Sequence, residues 1–209
     1  MNCLKVFFIL SLFFCGSVVG FQYWKMAQTW PRGFCKYNTC DASTTKPFKF
    51  TIHGLWPSDY GKQQPEFCSV SKNSSIYLTK ELVTKLDQDW PSYTTIRTNK
   101  EFWSHEWSKH GSCSNMSEID YFKLALDIYA NNDIQQILGY SNILPGNTYE
   151  VNKIILAIRT SPIGVEPQLK CENGDLIEIR LCLNNNPIPQ YINCPSRPSS
   201  TCPINVSFI

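Results

Sequence analysis

Histidine is scarce in this chain: 209 residues hold three, His53, His105 and His110. Any imidazole chemistry has to come from those positions. A dominant charge is missing as well. Nineteen Lys and Arg stand against 17 Asp and Glu, a net charge of +2, which excludes the strong basic field of a protein that lives on duplex DNA. A nucleic acid would have to be held in a local cleft. No Gly-x-Ser-x-Gly occurs, so there is no serine elbow. A glycine-rich phosphate loop and an Asp-rich magnesium motif are also absent. The lack of Cys-x-x-Cys argues against a zinc ribbon. No repeat or low-complexity linker divides the chain, and after the amino-terminal segment nothing is apolar enough to span a membrane.

What is present starts with a leader. Residues 1–20 read as a secretory signal: Lys5 is the only charge, Val6 to Phe14 is nearly continuous apolar, and Val18-Val19-Gly20 precedes a cut ahead of Phe21. Residues 21–209 are then expected as a single exported, extracellular domain, monomeric and without stable membrane association. Cys3 and Cys15 fall in the leader. The other eight, Cys35, Cys40, Cys68, Cys113, Cys171, Cys182, Cys194 and Cys202, imply four disulfides in an oxidising compartment. Eight cysteines allow about 105 pairings, and spacing alone does not choose among them. Sequons at Asn73, Asn115 and Asn205 predict surface glycosylation sites.

Periodicity predicts strands over Phe21–Trp30, ended by Pro31, and over Phe48–Leu55, ended by Gly54 and Pro57. Leu78, Leu82, Leu86 and Trp90 recur every four residues and predict a helix over Ser75–Trp90. Further helices are expected over Ser117–Ala130, with Ser117 as N-cap, over Asp133–Leu138, and over Thr148–Arg159. Strands over Gln168–Cys171 and Leu176–Leu183 flank Asn173-Gly174, a hairpin turn. The Asn-, Pro- and Ser-rich tail from Asn184 is expected to be irregular. Strands first, helices in the middle and strands last predict an α+β fold, a mainly antiparallel central sheet flanked by helices.

The chemistry concentrates in Phe102-Trp103-Ser104-His105-Glu106-Trp107-Ser108-Lys109-His110-Gly111-Ser112-Cys113. On a helix Glu106, Lys109 and His110 share a face at i, i+3 and i+4, and Gly111 is a natural stop. A solvated charged face seldom gathers His and Trp in this way. A zinc-protease helix needs His-Glu-x-x-His, but Lys109 occupies the second ligand position and an ammonium does not ligate zinc. The remaining histidine lies in Phe50-Thr51-Ile52-His53-Gly54-Leu55-Trp56-Pro57, on the strand face of Thr51. Two imidazoles, a carboxylate and a lysine form an acid–base site that needs no metal or other cofactor: one His takes a proton while another gives one. Such a set suits cleavage of RNA by its own 2′-hydroxyl, because the substrate supplies the nucleophile.

These two segments closely resemble the active-site segments of the ribonuclease T2 family. The resemblance extends over the mature chain, including the amino-terminal strand with Gln28, Cys35/Cys40 and the carboxy-terminal cysteines. Tyr121-Phe122-Lys123-Leu124-Ala125-Leu126-Asp127 and Leu144-Pro145-Gly146 look most like plant members, particularly the S-ribonucleases of self-incompatibility. The resemblance implies an α+β endoribonuclease that acts on single-stranded RNA, forms 2′,3′-cyclic phosphates and then opens them. It implies His110 as base, His53 as acid, Glu106 and Lys109 as stabilisers of the phosphorane, and His105 as a phosphate contact. Trp56 packs on the site in this reading, and Gln28, Tyr93 and Phe102 contact substrate. Relatives often carry Asn at the position of Ser92, and many S-ribonucleases carry Lys at that of His105. The implied disulfides are Cys35–Cys40, Cys68–Cys113, Cys171–Cys202 and Cys182–Cys194. Self-incompatibility implies a pollen-side recognition protein as partner. The alternatives are an S-like enzyme of phosphate recycling or defence, and a non-catalytic defence or storage glycoprotein on the same scaffold.

Overall fold

The computed structural model describes residues 20–44, 47–68, 76–195 and 202–209. The leader, apart from Gly20, and Asn73 lie outside the described residues. In chain order the elements are β1 (Tyr23–Thr29), α1 (Pro31–Tyr37), β2 (Thr51–Ser58), α2 (Lys80–Asp89), α3 (Asn99–Lys109), α4 (Glu118–Ala130), α5 (Ile134–Tyr140), β3 (Asn147–Glu150), α6 (Val151–Arg159), β4 (Gln168–Glu172), β5 (Asp175–Asn184), β6 (Tyr191–Ile192) and β7 (Asn205–Phe208). A 3₁₀ turn over Gly111–Cys113 follows α3.

β1 is buried along its whole length because β2 and β5 flank it, both antiparallel. The sheet order is β2-β1-β5-β7-β3, with β4 and β6 also paired to β5. Among the described residues only the β5–β7 contact is parallel, so the α+β, mainly antiparallel expectation holds. Asn173 and Gly174 turn between β4 and β5 with φ of 47° and 87°, the two positive values that a tight hairpin of this kind requires.

Helices α2, α3 and α4 reach the sheet through aromatic residues with polar tips. The ring nitrogen of Trp90 donates to the His53 carbonyl at 2.8 Å, and the hydroxyls of Tyr121 and Tyr129 donate to the carbonyls of Leu55 and Phe50 at 2.8 and 2.7 Å. Trp103 donates in turn to the Trp90 carbonyl at 2.7 Å. Each ring fills the core while its polar atom satisfies a backbone acceptor. These bonds hold β2 against the helices that carry the rest of the site.

The structure departs from the sequence expectations at several ends. Pro31 ends β1 but also starts α1, where its missing N–H is no loss at the first helical position. β2 runs on through Pro57, which pairs with Trp24; an edge strand tolerates proline because one of its sides needs no ladder bond. α2 starts at Lys80, after the Thr79 cap, and not at Ser75. Residues 147–150 join the sheet as β3 before α6 begins. The tail is not wholly irregular: Tyr191–Ile192 and Asn205–Phe208 are strands. Four disulfides close the structure, Cys35–Cys40, Cys68–Cys113, Cys171–Cys202 and Cys182–Cys194. These are the pairs that the family resemblance implies.

Candidate active site

β2 carries an irregularity where it meets β1. Ala27 pairs with Gly54 and Gln28 with Ile52, so His53 is an extra residue in a β-bulge. Its imidazole is partly exposed, and Nδ1 lies 2.6 Å from Glu178 Oε1 on β5. Gly54 follows it because nothing larger fits. A Cβ there would lie 2.1 Å from Trp56 Nε1 and 2.3 Å from Glu106 Oε2. Those two atoms belong to a buried hydrogen bond, Trp56 Nε1 to Glu106 Oε2, of 2.9 Å.

α3 supplies the opposite wall. Its first turn is a capping box: Thr98 accepts from the Glu101 N–H, and Glu101 Oε2 accepts from the Thr98 N–H at 2.8 Å. The helix ends at His110, whose N–H still bonds the Glu106 carbonyl. Glu106 and His110 are buried at 3 % and 4 % exposure, while His105 and Lys109 form a partly exposed rim. Lys109 pairs with Glu66 at 3.3 Å. Trp56 stands between the two histidines, its ring centroid 5.2 Å from His53 and 5.3 Å from His110. Beside His53 a cleft of about 150 Å³ is lined by Thr29, Tyr93, Arg97 and Phe102 among others.

The electrostatics separate the titratable groups. Burial works against a charged His53, but the Glu178 carboxylate, with Glu106 behind it, outweighs burial and raises its pKa. Glu178 is buried too, yet His53 and Arg180 hold its pKa down to about 2. His110 is pushed down to about 3 by burial, reinforced by Lys109, His53 and His105. Its Nδ1 has no hydrogen-bond partner among the described residues. His105 is lowered by burial and by Arg97 and Lys109. Burial raises Glu106, against the pull of His53 and the Trp56 bond. At neutral pH one buried imidazole is therefore neutral, and the other, beside a carboxylate, is biased toward its charged form. This arrangement can take one proton and give another.

The model of the Ribonuclease T2 family matches residues 21–194. The chain belongs to the Ribonuclease T2 family. It is 34% identical over 194 residues to Ribonuclease DdI of Dictyostelium discoideum, covering 90% of this chain and 84% of the relative. To Ribonuclease S-4 of Pyrus pyrifolia it is 29% identical over 215 residues, covering 96% and 93%. The structure of RNase NT in complex with 5′-AMP superposes with a TM-score of 0.80 at 30% identity, over 90% of this chain and 98% of that one. This T2 ribonuclease is an endoribonuclease.

Within this T2 ribonuclease the residues expected from sequence fall into separate places. His53, Tyr93 and Phe102 line the cleft with Ser92; Trp56, Glu106 and His110 form the buried cluster beside it. Lys109 and His105 sit on the rim, so the helix face expected for Glu106, Lys109 and His110 is split between interior and edge. Gln28 is not in the cleft. It lines a different cavity with Phe50 and Tyr129, because side chains alternate along β1 and the neighbouring Thr29 takes the cleft side. Sequence reasoning missed Glu178, Arg180, Arg97 and Glu66. A signal for the first two existed: Glu178 and Arg180 alternate with Ile177 and Ile179 in a mostly apolar strand, a buried acid and a partly buried base on one strand face. Among the described residues, no three His, Cys, Asp or Glu side chains cluster to hold a metal ion.

Proposed function

We propose that this enzyme is a secreted ribonuclease that cleaves single-stranded RNA by metal-free transphosphorylation, with His110 as general base and His53 as general acid. The observation that carries the reading is the opposite environment of the two rings: a buried, neutral His110 and a His53 paired to Glu178. His110 takes the proton of the 2′-hydroxyl, and the 2′-oxygen bonds to phosphorus. The bond from phosphorus to the 5′-oxygen breaks, and His53 gives that oxygen its proton. The product is a 2′,3′-cyclic phosphate. Water then opens it to a 3′-phosphate with the two proton transfers reversed. Lys109 offsets charge on the phosphorane. Glu106, whose pKa is raised by burial, helps Lys109 stabilise the phosphorane, and His105 contacts phosphate at the rim. A base stacks on Phe102 beside Tyr93, a contact of roughly 1–3 kcal/mol that accepts any base.

A substrate with an activated leaving group tests the roles. His53→Ala is expected to lose roughly 10²–10⁴-fold on RNA and to recover much of that loss when the leaving group needs no proton. His110→Ala is expected to stay slow on both. Equal recovery by the two variants would mean the roles are assigned wrongly. An RNA-containing gel run with a chelator separates this reading from a non-catalytic storage or defence glycoprotein, which would leave no cleared band.

The disulfides and the leader-like amino terminus support secretion, with glycans at Asn73, Asn115 and Asn205; Asn115 and Asn205 are exposed. The likeness to Ribonuclease S-4 supports a pistil role in self-incompatibility, with a pollen-side recognition protein as partner. The comparable likeness to Ribonuclease DdI, which is no S-ribonuclease by name, leaves an S-like role in phosphate recycling or defence as the alternative. The tissue that makes the transcript discriminates: pistil expression favours the first role, and induction in leaf or root the second.

A further inference from the structure

We propose that Glu178 is the positioning residue of the catalytic acid: it fixes the ring of His53 so that the transferable proton sits on Nε2, facing the leaving oxygen. The proposal rests on the role of His53 given above. Both carboxylate oxygens of Glu178 are engaged, Oε1 with His53 Nδ1 at 2.6 Å and Oε2 with Arg180 Nε at 2.5 Å. At 1 % exposure the carboxylate has no water shell to compete with these partners. An ionised carboxylate only accepts hydrogen bonds, so Nδ1 must carry hydrogen in either charge state of the ring. The acidic proton is then the one on Nε2.

The fold brings this pair together across a whole strand. Glu178 is on β5 and His53 on β2, with β1 between them. Glu178 and Arg180 stand opposite Thr29 and Ala27 of β1, which stand opposite Thr51 and Gly54 of β2. Ala27 and Gly54 are small enough to let longer side chains meet over β1. The bulge at His53 aims its ring into that space. Arg180 fixes the far side of the carboxylate, and its guanidinium lies 5.3 Å from the Trp56 ring. Other charged or titratable groups facing His53 are Lys170 on β4, Glu106 and His105 on α3, and His110 at the end of that helix.

The experiment measures pH–rate profiles of wild type, Glu178→Gln, Glu178→Ala and His53→Ala on two diesters. One is a dinucleotide with an ordinary 5′-hydroxyl leaving group, and the other a nucleoside 3′-(4-nitrophenyl phosphate). Glu178→Ala is expected to lose roughly 10²-fold on the dinucleotide and only a few-fold on the aryl ester. Glu178→Gln still offers an oxygen to Nδ1, so it is expected to lose less than Glu178→Ala while its alkaline limb moves to lower pH. Equal losses by Glu178→Ala on both diesters would reduce Glu178 to a structural residue. An unmoved alkaline limb in Glu178→Gln overturns the proposal even if Glu178→Ala fails to fold. The His53→Ala control separates the two levels: without its recovery on the aryl ester, the acid assignment itself is wrong.

Discussion

At the scale of single residues, His53 and His110 differ in what lies beside the ring. A carboxylate 2.6 Å from His53 favours its charge; burial and the nearby cation Lys109 deny charge to His110, whose Nδ1 has no hydrogen-bond partner among the described residues. With the roles proposed above, the active form has His110 neutral and His53 protonated. With His110 titrating at about 3 and His53 above its ordinary 6.5, that form is the main one between the two values. The kcat/KM profile of the free enzyme is thus expected to be a broad, flat-topped bell, with an acid limb far below pH 6.5 and an alkaline limb above it. A narrow peak centred on pH 6.5 would contradict these environments. Both histidines were legible in the sequence because each sits in a dense local motif. Glu178 stands out locally as an acid in a mostly apolar strand, but its pairing with His53 was not legible, because the two lie 125 residues apart along the chain.

At the scale of elements, two small features set the catalytic geometry. The bulge in β2 aims His53, and Gly54 beside it leaves room for the Trp56–Glu106 bond. Gly54→Ala forces a methyl into a space where both neighbours are buried and hydrogen-bonded. It is expected to destabilise by roughly 1–3 kcal/mol and to lower activity per folded molecule, read by thermal unfolding and by RNA cleavage. The capping box of α3 acts differently. Thr98→Ala is expected to remove about 1 kcal/mol and to lower Tm while leaving the rate of the folded enzyme close to wild type, since Thr98 is remote from the reacting atoms. A large loss of rate at full folding would show that the cap also sets the register of Glu106 and His110. The alternation of residues 48–55 predicted β2 but not its bulge. A bulge is a property of the pairing with β1, which one strand's sequence does not contain.

At the scale of the whole molecule, Cys68–Cys113 ties the end of α3 to the segment bearing Glu66, the partner of Lys109. It spans 45 residues, for which loop-closure entropy predicts about 4 kcal/mol. Replacing both cysteines by Ser is expected to lower Tm strongly and, in whatever folds, to weaken the Glu66–Lys109 pairing, seen as a changed salt dependence of kcat/KM. Acid should also loosen the fold. His110 titrates at about 3 when folded and near 6.5 when unfolded, so the unfolded chain takes the proton first. Its contribution is full above pH 6.5 and is lost as pH falls toward 3. Glu178, held at about 2, adds to the loss below its ordinary value of 4.5, while the raised pKa of Glu106 partly opposes it. Calorimetry is expected to show Tm falling from pH 6.5 downward, with a shallower slope in His110→Ala. A Tm independent of pH over that range would contradict the burial of a neutral His110.

The sequence by itself determined what is local or compositional. It carried the two histidine motifs, the α+β order of elements, the Asn173-Gly174 turn, the helix stop at Gly111 and an even set of cysteines able to pair. These follow from periodicity, turn chemistry and residue type, which act within a few residues of each other. Only the tertiary structure decided which carboxylate serves which histidine, that Gln28 faces away from the cleft while Thr29 faces into it, and that Lys109 pairs with Glu66. It also decided that a helix follows Pro31 and that the tail returns to the sheet as β6 and β7. Each of these depends on strand register, on burial from both sides or on partners far apart in the chain: burial keeps the His110 imidazole neutral, and the Glu178 carboxylate favours charge on the chemically identical ring of His53.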